Sequence, residues 1–170
     1  MVLEQGPMAA ELSPGVRYQL DKIEPSVEMY GTRLYPCSAQ LHDGRMLECV
    51  YFVDIASFKR FWGWERPEEV PGGKLSISPD QVASVQESRL RLPARFANQI
   101  YRAGESGMGY FNFCLVFSWW YRRDYVVGSF VDFLEYPFWF GPADVRRVIL
   151  YRNKREARRT PETWWCVLGK

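Results

Sequence analysis

Histidine is all but missing: the 170-residue chain has one, His42. A zinc centre draws on several His and Cys at short spacings, and a Ser-His-Asp or Cys-His triad needs an imidazole beside its nucleophile. His42 lies in "LHDGR", where Asp43-Gly44 marks a hairpin turn, and so reads as a turn residue. No metal site and no cofactor motif is expected. The four cysteines, Cys37, Cys49, Cys114 and Cys166, are scattered without a C-x-x-C pair. They read as free buried thiols and not as a disulfide framework.

Long apolar runs are also missing. A spanning helix takes about 20 apolar residues. The longest nearly apolar run here, "YFNFCLVFSWWY" (110–121), is shorter and contains Asn112 and Ser118. The N-terminal "MVLEQGPMAAELSPG" lacks the basic and apolar regions of a secretory signal. The expectation is a flexible arm over 1–14 and a single α+β domain over 15–170, soluble and cytoplasmic, with no membrane partner.

The one glycine-rich stretch, "AGESGMGYFNF" (103–113), also falls short of known phosphate loops. A P-loop requires Lys and Ser/Thr after its second glycine, and Tyr110 and Phe111 stand there instead. The stretch follows a predicted helix C-terminus, where carbonyls collect and an anion is disfavoured. A nucleophile elbow around Ser106 would need glycine at 108, which is Met108. The stretch reads as a helix exit, with Gly104 as a left-handed cap and with Glu105 and Ser106 facing water.

Aromatics, in contrast, are abundant: seven Trp, ten Tyr and eleven Phe make up 16% of the chain. Such side chains favour strands and half-buried surfaces. "VRYQLDKIE" (16–24) alternates and reads as a strand. The runs 27–41 and 45–55 flank Asp43-Gly44 as a hairpin, and Pro36 suggests an edge or a bulge. Residues 56–73 read as a short helical turn and a loop. Pro79-x-x-Val82-x-x-Val85 and Pro142-x-x-Val145-x-x-Val148 each read as one helical turn leading into a strand. "PARFANQIYRA" (93–103) is the main helix. Residues 109–120 and 125–136 read as paired strands around "YRRD", and the tail as a strand, a basic turn and a final strand. The sum is α+β, mostly antiparallel: about seven strands in a curved sheet or small barrel, with one main helix at 93–103.

Three functional readings follow. All seven tryptophans fall in "FWGWE", "SWWY", "FWFG" and "TWWC", more clusters than a core this size easily encloses. The first reading is therefore a non-enzymatic binding domain. Its aromatic pocket or face would use Trp62, Trp64, Trp139, Trp164 and Trp165 to take a protein partner or a small apolar ligand, a two-fold homodimer being one form of such contact. The second is a carboxylate-dependent enzyme using Asp132, Glu135 or Glu105, with Asp132 placed on an apolar strand face beside Val126, Phe130 and Leu134. The third is nucleic-acid binding through 146–159. Residues 146–170 hold eight basic and two acidic side chains, a net +6, against −4 for the remainder.

Overall fold

The computed structural model describes residues 10–151 and 160–169. Over these described residues it is α+β, with nine strands in two mostly antiparallel sheets and three helices. Neither sheet closes into a barrel.

Helix α1 (Pro14–Leu20) replaces the strand expected over 16–24. Its text fits both periods, because Val16 and Leu20 alternate with polar residues and also lie four apart. The preceding residues decide the outcome: the Ser13 hydroxyl accepts the Val16 amide at 3.3 Å and Pro14 opens the first turn. Leu12, Val16 and Leu20 are buried together.

The larger sheet is built on β2 (Arg33–Leu41) and β3 (Met46–Asp54), the hairpin that turns at Asp43-Gly44, with Gly44 at φ +90. The other edge of β2 is shared by β1 (Ser26–Val27), opposite Arg33 and Leu34, and β5 (Val82–Gln86), opposite Ser38 to Leu41. Pro36 falls between them, so its missing N–H leaves no ladder bond unmade. β9 (Trp164–Leu168) pairs parallel to β3, and β4 (Leu75–Ser76) pairs parallel to β9. Both faces are covered, which accounts for the consecutive apolar residues of β3 and β9. Val50, Phe52, Cys166 and Leu168 meet α1 on one face. Tyr51, Val53 and Trp165 meet Phe58 of α2 (Ile55–Trp62) on the other.

The smaller sheet has the order β7 (Arg122–Val127), β6 (Phe111–Val116), β8 (Arg147–Leu150), all antiparallel. Phe111, Phe113 and Leu115 alternate onto its inner face, where α3 (Ala94–Ala103) buries Phe96, Ile100 and Tyr101. The two Pro-x-x-Val motifs fold as expected: each proline opens a single 3-10 turn and a strand follows. Gly104 does end α3 with φ +79, but its ψ of 174 is extended and not left-handed helical. β7 ends at Val127, so Asp132 and Glu135 lie beyond it and not on the strand expected through 136. The six-residue pairing stops there because Gly128 follows and β6 begins at Phe111, the partner of Val127.

Candidate functional site

Among the described residues, two tight turns carry the three most exposed aromatic side chains, Trp119, Phe138 and Trp139. The β6–β7 hairpin closes through Phe117 and Ser118 amides donating to Tyr121 O at 3.1 and 3.4 Å, with the Tyr121 amide on the Ser118 hydroxyl at 3.1 Å. Trp119 and Trp120 occupy the two central positions, which point away from the sheet, and are 90% and 64% exposed. The second turn is held by the Phe140 amide on Pro137 O at 2.9 Å. Its central residues, Phe138 and Trp139, are 88% and 82% exposed and pack edge to face at 4.7 Å.

Phe140 joins the two turns. Its ring lies 5.0 Å from Phe117, 4.9 Å from Tyr121 and 6.3 Å from Trp120. The core thus anchors the bases of both turns while their largest apolar side chains stand in water. Scattered exposed apolar residues are ordinary, whereas here four large rings stand together on two abutting turns as one exposed aromatic tip.

Cationic side chains ring the base of this tip. Arg122 and Arg147 pair across the sheet with the same residue, Val116, the last of β6 before the turn. The Arg146 amide donates to Val116 O at 2.9 Å. All three side chains are exposed, and none makes an ion pair among the described residues. Arg123 is half-buried over the Tyr125 ring at 5.7 Å. Of the nearby acids, Asp144 accepts the Gly141 amide at 2.7 Å, Asp124 shares the sheet face of Arg122, and Glu135 is exposed.

Of the tryptophans singled out in the sequence, Trp139 alone is on the tip. Trp165 is 2% exposed and stacks on Tyr51 at 4.9 Å. Trp62 is half-buried against Phe61 and Phe130, with the Lys74 ammonium 4.5 Å from its ring. Trp164 packs on the α1 side of the sheet, and Trp64 is partly exposed at 43%. Trp119, Trp120 and Phe138 escaped the sequence reading because "SWWY" continues a period-two strand pattern. The signal that could have found them is turn chemistry: Ser118 and Pro137 each begin a turn whose next two residues are aromatic.

The three carboxylates do not come together. Asp132 is wholly buried and holds three hydroxyls, Ser26 on Oδ1 and, on Oδ2, Tyr101 at 2.5 Å and Tyr51 at 3.2 Å. Burial raises its carboxyl pKa, opposed by those hydrogen bonds and by Arg91. Burial also raises both tyrosines well above their ordinary value, with the adjoining Asp132 adding to it, so each hydroxyl keeps its proton and donates. Glu135 is exposed, and the Glu105 carboxylate accepts the Gly109 amide at 3.0 Å on another part of the surface.

Glu105 is exposed, as expected, and with the half-buried Ser106 it borders an open surface pocket of about 460 Å3 lined also by Ile100, Phe111 and Tyr151. It adjoins, at Ala103 and Gly104, a cleft of about 720 Å3 between α3 and the turn 27–31. The Ser106 hydroxyl accepts the Asn112 amide at 2.8 Å, which ties the glycine turn to β6. Gly107 is needed for contact and not for its φ: a Cβ there would lie 2.4 Å from the Tyr110 ring.

Of the basic segment 146–159, residues 152–159 lie outside the described residues. Among the described residues, no group of three or more His, Cys, Asp or Glu could hold a metal ion, and no helix is long and apolar enough to cross a membrane. Compared with known proteins, the chain matches no family model, no curated protein and no solved structure.

Proposed function

We propose that the chain is a non-enzymatic docking domain that buries its aromatic tip against a partner surface. The observation that carries this is the exposure of Trp119, Trp120, Phe138 and Trp139, each between 64% and 90%, on two turns that meet at Phe140. Keeping such rings in water forgoes about 1.5–3 kcal/mol of burial for each large apolar side chain. A partner surface recovers that energy on contact, and Trp is enriched where such contacts form. A small apolar ligand fits less well than a large surface, because ligand sites enclose their occupant and these side chains project outward.

A photo-crosslinking residue in place of Trp139, in cells expressing the chain, tests this reading. The same residue in place of Tyr18, 64% exposed on α1, is the control. The docking reading expects a defined adduct from position 139 and none from position 18. Equal or absent crosslinking at both positions overturns it.

A further inference from the structure

We infer that the surface taken by the tip is the interfacial layer of an anionic lipid bilayer; this rests on the docking reading above. Three observations lead there. First, the rings stand at the apex of two turns as a projecting group, and three of the four are more than 80% exposed. A protein partner would need a recess shaped to each ring, whereas the headgroup layer takes up Trp and Phe side chains whatever their arrangement.

Second, the cations sit behind the apex, not among the rings. Arg122, Arg146 and Arg147 cluster at Val116, at the base of the hairpin, and make no ion pair among the described residues. With the rings in the headgroup layer, these guanidinium groups reach the level of lipid phosphates and acidic headgroups. A single-stranded nucleic acid calls for a different layout, a groove where cations and stacking rings alternate along one track.

Third, the same three arginines oppose self-association. An isologous dimer through the tip would set each cationic base near its own copy. No spanning segment is needed for this mode of attachment, in keeping with the lack of a membrane-crossing helix among the described residues.

The test uses the full chain with vesicles of phosphatidylcholine alone and of phosphatidylcholine mixed with phosphatidylserine. Binding is read by co-sedimentation and by the blue shift of tryptophan emission. Partition onto the anionic vesicles should exceed that onto neutral ones by about tenfold or more, and fall with salt. Trp119→Ser with Trp139→Ser should lower it by about tenfold or more. Arg122→Gln with Arg147→Gln, which leaves the rings in place, should also lower it by about tenfold, and should abolish most of the preference for anionic lipid. A folded parent chain that ignores the anionic vesicles, or that binds both kinds equally, overturns the lipid assignment. If that chain instead captures a protein or an oligonucleotide through Trp119 and Trp139, the lipid assignment falls while the docking reading stands.

Discussion

The Tyr101 hydroxyl and the Asp132 carboxylate meet at 2.5 Å, wholly buried, and the same hydroxyl accepts the Val131 amide at 3.0 Å. Tyr51 of β3 and Ser26 of β1 reach the same carboxylate from the larger sheet. Asp132 is therefore a polar bolt between α3 with its small sheet and the β1–β3 region. Tyr101→Phe removes one of the two donors to Oδ2 and leaves the buried Val131 N–H without its acceptor. Each such loss costs about 1–3 kcal/mol, so urea denaturation should show a loss of about 2 kcal/mol or more.

The same carboxyl predicts a pH dependence. Its folded-state pKa is raised by burial, so the folded chain holds the proton to higher pH than the unfolded chain does. Its stability contribution is fully present below the unfolded pKa, about 4, and is lost as pH rises through the folded value. The stability of the parent chain minus that of Asp132→Asn should therefore decrease as pH rises above about 4. Subtraction removes the surface acids Asp43 and Glu65, whose lowered pKa values act in the opposite direction. A difference that increases with pH contradicts the assignment.

Two glycine substitutions should have opposite signs. Gly107→Ala forces a Cβ into the Tyr110 ring and should cost about 1–3 kcal/mol by thermal unfolding. Gly15→Ala places a methyl group in open space within α1 and should stabilise by about 0.5–1 kcal/mol.

The four thiols should be inert in the folded chain. All are buried, and burial pushes Cys49 and Cys166 up to about 12 and Cys37 higher still. A chromogenic disulfide reagent near neutral pH should titrate none promptly until denaturant is added, and then all four. Prompt reaction of one thiol in the folded state would show that its burial is incomplete.

Much of this fold could be read from short-range chemistry. Asp43-Gly44 sets the β2–β3 hairpin, and the two Pro-x-x-Val phrases set their turns and strands, because those signals act within a few residues. Helix α1 was hidden because Val16 and Leu20 satisfy both periods and the Ser13 cap was the deciding contact. The parallel pairing of β9 with β3 was hidden because parallel partners are set by distant packing, here Trp165 on Tyr51. The tip was half visible. Trp139 could be named, but Trp119 and Trp120 share an apolar run with β6, and only the turn at Ser118 takes them out of it.

Serine at all four tip positions, 119, 120, 138 and 139, separates the tip's role in binding from any role in folding. These side chains are exposed, so the variant should keep the parent's unfolding midpoint to within about 1 kcal/mol of stability. The deciding measurement is how parent and variant divide between free chain and large, partner-bound particles in gently lysed cells. The docking account predicts a bound parent and a free variant of equal stability. A variant that remains bound as the parent does would contradict it.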